Sequence, residues 1–258
     1  DDSIAEWIAT RVRSGVLPPG HLGRMTAAEV AYEIRQILAQ AMFPLTGGDS
    51  IECRVALGQE TLDDRVDGVH DDTPGFLRIR FKRYHDSVLL EPWIELALLT
   101  AHTGGEWNGV AQVITRSSNS STTSPVSRVL AMAGLTAAER LSSARSVLEL
   151  AVKLRAAAEI DVIPLFENAS HARATSGAAG TAFKKDLKYS SELRYLVGGR
   201  SFTDICDDQT TTLDREIFGA PRDVPRFDFY ADLVWGTFVR TCSVAGVDDA
   251  TDDDGDDQ

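Results

Sequence analysis

Apolar positions along the chain recur with two periods, one helical and one extended, and the changes of period mark the elements. A short helix is predicted over about Ser3 to Arg13, followed by "GVLPPGHLG", whose Pro and Gly residues break it. In "TAAEVAYEIRQILAQAMF" the residues Val30, Ile34, Ile37, Leu38 and Met42 recur at the spacing of one helix face. Thr26 and Glu29 have the spacing of a capping box at its start, and the stripe is read as core packing. The period then shortens. Ile51, Cys53, Val55 and Leu57 alternate with polar neighbours, the pattern of a half-buried strand. "ETLDDRVDGV" and "FLRIRFKRY" supply two further strands on either side of the turn-like "HDDTPG". "SVLLEPWIELALLTAHTGG" predicts a buried helix with Pro92 near its first turn and a glycine pair at its end. "WNGVAQVITR" is a fourth strand.

The order αβββαβ over residues 26–116 is the core arrangement of PD-(D/E)xK nucleases, although order alone does not identify a fold. The expected class is α/β, a mixed sheet flanked by helices with a mostly helical C-terminal extension. Residues 1–25 are read as an opening helix and turn, and 117–135 as a polar loop that includes "SSNSSTTSP". Residues 136–243 are read as a helical extension packed on the core, and 244–258 as an acidic disordered tail. The extension opens with a second capping box at Thr136 and Glu139, leading a long amphipathic helix through "TAAERLSSARSVLELAVKLRAAAE". Helical pieces follow near 168–176 and 180–196, and a closing helix runs from about Phe227 to Arg240. There is no internal repeat, and "SGAAGTAFKK" lacks the spacing of a phosphate-binding loop.

Composition narrows the function classes. The 258 residues suffice for one large domain or a domain with an appendage. The net charge of −13 is unevenly placed: "VDDATDDDGDDQ" holds seven Asp, so −6 remains elsewhere. That balance argues against a broad phosphate-binding surface and leaves room for a local basic stripe. Cys53, Cys206 and Cys242 form no CxxC pair, and the five histidines show no HxxxH spacing. A reducing compartment is therefore expected, with neither a disulfide framework nor a zinc site. No apolar run is long enough to cross a bilayer, and no signal-peptide pattern opens the chain. Beginning at Asp1, the sequence is read as a piece of a longer polypeptide.

Chemistry concentrates in "LDDRVDGVHDDTPGFLRIRFKRY", residues 62–84. Strand pairs of metal-dependent nucleases carry an Asp on the first strand and acid-x-Lys on the second; here Asp64 faces Arg80-Phe81-Lys82. Residues two apart on a strand share a face. Arg78, Arg80 and Lys82 therefore lie opposite Leu77, Ile79 and Phe81, while Leu62, Asp64 and Val66 lie together. A divalent cation on phosphate chemistry needs oxygen ligands, whereas a guanidinium stays charged and offers only donors. The expectation is that Arg80 pairs with Asp64, fixing a positive charge where a metal would sit and leaving Lys82 no water to orient. Asp64, Arg80 and Lys82 are then the positions of a degenerate site, with no cofactor or metal. The plainer alternative is a pair of ordinary half-exposed strands, since a one-residue slip in register turns Asp64 to solvent. A working nuclease would instead need Asp63, Asp67, Asp71 or Asp72 to reach the metal. Arg78, Arg80, Lys82 and Arg83 form one candidate DNA-contact stripe; Lys184, Lys185 and Lys188 of "KKDLK" form another. An ordinary solvated face is the commoner role for such runs.

Several stretches together resemble one family. "GVLPPGHLG" with "AEVAYEIRQIL", the strand segment at 62–84 with its Leu-Arg-x-Arg, and "LLEPWIELALLTAH" come first. "ARSVLELAVKLRAAAEIDVIPLFENASHA" follows, then "LRYLVGGRSFTDI" and "PRFDFYADLVWGTFVR", in that order. The set resembles the C-terminal domain of the exodeoxyribonuclease V gamma subunit, RecC of RecBCD, in its actinobacterial form. The resemblance implies a nuclease-like fold without its active site, in a cytoplasmic complex with RecB and RecD that processes DNA double-strand ends. It further implies that Asp64 is not a preserved ligand and that the domain itself is not an enzyme. The Asp-rich tail departs from the family pattern. An interaction module outside DNA repair that keeps only the fold is the remaining alternative.

Overall fold

The computed structural model describes residues 2–16, 18, 20–117, 124–176, 178–190, 193–194 and 197–246. Helices α1 (Asp2–Arg13) and α2 (Gly20–Ala39) precede a three-stranded meander, β1 (Asp49–Leu57), β2 (Glu60–His70) and β3 (Gly75–Arg83). A 3-10 turn (Asp86–Leu89) leads into α3 (Leu90–His102), then β4 (Val110–Arg116), β5 (Val126–Met132) and α4 (Ala137–Ala158). The expected αβββαβ order is present. Strand order in the six-stranded sheet follows the chain, with β3 and β4 parallel and every other neighbour antiparallel. A parallel pair demands a crossover, and α3 provides it.

One face of the sheet carries Cys53, Val55, Val66, Phe76, Ala111, Val113 and Leu130 into a core with α3 and α4. Leu96 and Leu99 of α3 are fully buried; each contributes roughly 1.5–3 kcal/mol by leaving water. The helix ends where Gly105, at φ +86, closes on α4: an added Cβ would lie 2.0 Å from the Ala137 carbonyl oxygen. Only glycine fits that approach. On the opposite face Gln112 is buried, its amide nitrogen donating to the Gln40 carbonyl (2.7 Å) and its oxygen accepting from Met42 N (2.7 Å). This bond pair ties the end of α2 to β4.

A bulge decides which residues of β2 face the core. Ile51 pairs with Val66 and Asp49 with Val69, so two residues, Asp67 and Gly68, stand opposite Ser50. Gly68 takes φ +70. The alternation is thereby broken, and Val66 and Val69 are both buried although they are three apart.

The extension comprises α5 (Glu167–Thr175), α6 (Ala179–Tyr189), α7 (Phe202–Cys206), α8 (Thr212–Phe218) and α9 (Arg226–Ala231). A π-helical turn at Asp232–Gly236 joins α9 to α10 (Thr237–Thr241), and β6 (Cys242–Gly246) closes the sheet. The extension's own core packs Phe166, Phe183, Phe202 and Phe227 together, mostly edge-on or tilted, with ring centroids 5.0–5.7 Å apart. Trp93 of α3 donates to Thr241 Oγ1 (3.2 Å) and meets Phe238 edge-on at 5.2 Å, which docks the closing helix on the sheet layer.

Several expectations are corrected. Thr26 does not cap α2, which starts six residues earlier; its hydroxyl donates back to the Leu22 carbonyl (3.1 Å). Of the predicted stripe, Ile37 is buried, but Ile34, Leu38 and Met42 are 41%, 37% and 58% exposed. The span 117–135, expected as a polar loop, carries β5, with residues 118–123 outside the described set. Residues 244–246, expected in a disordered tail, belong to β6; the remainder of that tail lies outside the described residues. The helical piece expected over 180–196 ends at Tyr189, with 191, 192, 195 and 196 not described. Among the described residues no helix is long and apolar enough to cross a membrane.

Candidate functional site

Arg78, Arg80 and Lys82 share the face of β3 that looks toward α3, as the two-residue period predicts. Their partners are glutamates of that helix and of α5. Arg78 grips Glu95 with two bonds, Nε to Oε2 and NH2 to Oε1, both 2.8 Å, and its NH1 donates to the Asp67 carbonyl (3.1 Å). The guanidinium also lies 4.6 Å above the Phe76 ring centroid. Arg80 donates to Glu91. Lys82 is exposed, and its charge helps to hold Glu167 ionised. The match is geometric: two residues along a strand advance about 6.6 Å, and four along a helix about 6 Å. Running α3 antiparallel to β3 therefore sets Glu95 and Glu91 against Arg78 and Arg80 in turn.

The predicted Arg80–Asp64 pair is not formed. Asp64 stands on β2 across from Cys53 in the antiparallel register, and its carboxylate accepts from Arg65 N (2.8 Å). It is exposed, yet its charge, after burial itself, helps to push the Cys53 thiol up to about 11. The other acids of this stretch are dispersed. Asp63 pairs with Arg54 (2.8 Å), and Asp67 accepts from Ser50 Oγ (2.6 Å) and pairs with Arg65 (2.9 Å). Asp71 and Asp72 are exposed in the β2–β3 turn. Among the described residues no group of three or more His, Cys, Asp or Glu is arranged to hold a metal ion.

Beyond the end of β3 the chain enters a denser polar cluster. His85 and Asp86, consecutive at the 3-10 turn, form crossed pairs with Glu167 and His171, four apart on α5. His85 Nδ1 lies 2.6 Å from Glu167 Oε1, and His171 Nδ1 lies 2.8 Å from Asp86 Oδ2. Ser87 Oγ adds a bond to Glu167 (2.6 Å), and Tyr84 OH donates to Asp86 (2.7 Å). The His85 bond, with Ser87 and Lys82 behind it, holds the Glu167 carboxyl at about 2 against the opposing effect of burial. Burial alone would raise Asp86; His171 and Tyr84 overcome it and leave the carboxyl below its ordinary value. These pairs fasten the extension to the sheet layer.

The helix α5 has no side-chain cap of its own, because Phe166 occupies the N-cap. Asp186, buried on α6, replaces it. Its carboxylate accepts from Asn168 N (3.0 Å), Ala169 N (2.9 Å) and Asn168 Nδ2 (2.6 Å). This carboxylate satisfies amides that a helix start leaves open and complements the dipole. Between α5, α6 and the end of β3 lies a cleft of about 880 Å³, lined among others by Arg83, Tyr84, Phe166, Lys185, Lys188 and Leu193.

Deeper in the extension Asp214 is fully buried. Arg226 binds it with two bonds (2.8 and 3.2 Å), Tyr230 OH donates at 2.6 Å, and Thr211 N at 2.7 Å. Burial would raise this carboxyl, but the donors outweigh it and keep it below the usual carboxylate value. Its neighbour Arg226 also pairs with Asp161 at 2.8 Å.

Of the predicted site residues, the structure thus joins Arg78, Arg80 and Lys82 on one face, separates Asp64 from them, and brings Arg83 to Lys185 and Lys188. Sequence reasoning missed Glu91, Glu95, His85, Asp86, Glu167, His171 and Asp186. The i, i+4 glutamates of α3 against the i, i+2 arginines of β3 were a detectable signal; the crossed histidine pairs, about 80 residues apart, were not. In comparison with known proteins, residues 1–178 match the model of a family described as the RecC C-terminal domain. No curated protein matches the chain.

Proposed function

Because this chain belongs to the RecC C-terminal domain family, we propose that it is a non-catalytic scaffold and DNA-channel domain of RecC. RecC is a subunit of the exodeoxyribonuclease V complex, RecBCD, a DNA-repair assembly. On this reading the six-stranded unit is a PD-(D/E)xK-like core that has lost its metal site and now supports RecB and RecD around DNA. One observation carries it. The β3 position that would supply a second metal ligand is Arg80, bound to Glu91, and its neighbour Arg78 is closed on Glu95. A cation approaching that face would meet two guanidinium groups and would have to break both pairs to find a carboxylate. The zipper does the mechanical work of a metal bridge, clamping β3 to α3, without Lewis-acid chemistry.

The test is Mg²⁺- or Mn²⁺-dependent cleavage of end-labelled single- and double-stranded DNA by the purified protein, with Arg80→Ala in parallel. Co-purification with RecB and RecD is measured on the same preparation. No cleavage by either protein, with RecB and RecD retained, is the expected result. Cleavage by the wild type that disappears in Asp64→Asn would overturn the reading and leave a nuclease with a displaced ligand set.

A further inference from the structure

The sheet has a free edge, and one side chain stands on it. β1 is the outermost strand, paired with β2 along one side. Such an edge is a template for another strand, and proteins blunt it by covering its open backbone groups. Midway along β1 the Arg54 amide donates to His102 Nδ1 (3.1 Å), and the Arg54 carbonyl oxygen lies 3.4 Å from the same nitrogen. His102 is the last residue of α3, so the end of the crossover helix sets this ring against the strand. We infer that His102 is a stop on the β1 edge, and that the strand it excludes is β1 of a second copy of the chain. The inference stands apart from the RecC reading, and neither depends on the other.

The ring covers the groups that another strand would use. Outward amides and carbonyls recur at every second residue of an antiparallel ladder, which from Arg54 gives Glu52, Arg54 and Ala56. Arg54 is the central one. A neutral imidazole nitrogen accepts from its amide and a protonated one donates to its carbonyl, so His102 occupies this residue in either form. The side chains then select the partner. Two copies of β1 can meet antiparallel about a two-fold axis, which makes the contact self-complementary. Centred on Glu52, the register opposes Glu52 to Glu52; centred on Arg54, it opposes Arg54 to Arg54. Like charges directly opposite are destabilising, and unlike charges stabilise. Centred on Cys53, the register opposes Glu52 to Arg54 on both sides of the axis. Both side chains are exposed, and Glu52 makes no ion pair or side-chain hydrogen bond among the described residues. Arg54 pairs with Asp63 of β2 on the open surface, where such a pair contributes little and leaves the guanidinium free to share. In the Cys53 register every bond between Glu52 and Arg54 uses the Arg54 amide or carbonyl, the two groups that the ring covers.

Sedimentation velocity of the whole chain, run from dilute to concentrated solution, tests the inference. The wild type is expected to sediment as a single chain throughout, and His102→Ala to dimerise at least tenfold more tightly. His102→Ala/Arg54→Glu opposes two glutamates in the Cys53 register and should return to the monomer. His102→Ala/Glu52→Arg/Arg54→Glu exchanges the charges and should dimerise again. Hydrogen exchange at the Arg54 amide of His102→Ala should be fast when dilute and slow when concentrated. Circular dichroism establishes that each variant is folded. A His102→Ala protein that stays monomeric at every concentration would overturn the inference, as would a wild type that dimerises equally well. So would association that survives Arg54→Glu, or a charge exchange that fails to restore the dimer, since either places the contact away from this edge.

Discussion

At the scale of single residues, the buried carboxylates among the described residues, Asp186 and Asp214, are each met by several donors. Asp214 is the clearest case, an acid without solvent contact that holds α8, α9 and the 161–163 segment through Arg226 and Tyr230. Removing one partner of such a pair leaves the other charged and unpaired. Asp214→Asn should therefore cost about 3 kcal/mol, a fall in Tm of roughly 6–12 °C. A thermal melt followed by circular dichroism measures it, and a Tm unchanged from wild type would mean that the pair with Asp161 is enough to hold Arg226. Arg80 teaches a different lesson. The two-residue period put its side chain on the correct face of β3 together with Arg78 and Lys82, and that much was legible. Its partner was not, because periodicity states a direction and not what waits there. Asp64 was the acid expected from the neighbouring strand, but α3 returns Glu91 to the spot.

Among elements, local signals succeeded where a helix starts in open chain and failed where it does not. Thr136 and Glu139 form the capping box that their spacing predicts, with Glu139 accepting from Thr136 N (3.0 Å) and Thr136 Oγ1 from Glu139 N (3.2 Å). Thr26 and Glu29 have the same spacing, yet α2 is already under way at Gly20. The two threonines should behave oppositely. Thr136→Ala is expected to destabilise by about 1 kcal/mol, whereas Thr26→Ala should be neutral or slightly stabilising, alanine being the better helix former. Urea midpoints of the two variants, measured side by side, decide it; equal losses would contradict the assignment of α2. Strand β5 escaped notice because "VSRVLAM" sits between two neighbours and does not alternate cleanly between buried and exposed. Strand β6 escaped because five residues at the end of a helix carry too short a pattern.

For the molecule as a whole, the joint between sheet layer and extension depends on pH through Glu167. Its folded carboxyl stands at about 2 against an ordinary 4.5. A lowered acid stabilises the folded state above its unfolded value and loses that contribution as the pH falls from about 4.5 towards 2. Urea midpoints at pH 7, 5 and 3 should therefore fall more steeply for the wild type than for Glu167→Gln. Asp86 and Asp214, also lowered, give both proteins a shared acid loss, so the difference between the two curves is the measurement. Parallel curves would show that the His85–Glu167 contact contributes nothing across the joint.

What the sequence by itself determined was local: the order of strands and helices in the core, the faces of β1 and β3, the cap of α4, and Arg80 on one face of β3 with Arg78 and Lys82. Each follows from periods of two or three to four residues, which a short window contains. The tertiary structure alone decided which groups meet. Glu95 and Glu91 close on Arg78 and Arg80, His85 and Asp86 cross to α5, and Arg83 joins Lys185 and Lys188 in one cleft. These pairings depend on how α3 and the extension pack over the sheet, and packing is set by the burial of apolar faces from distant parts of the chain. No local period records it.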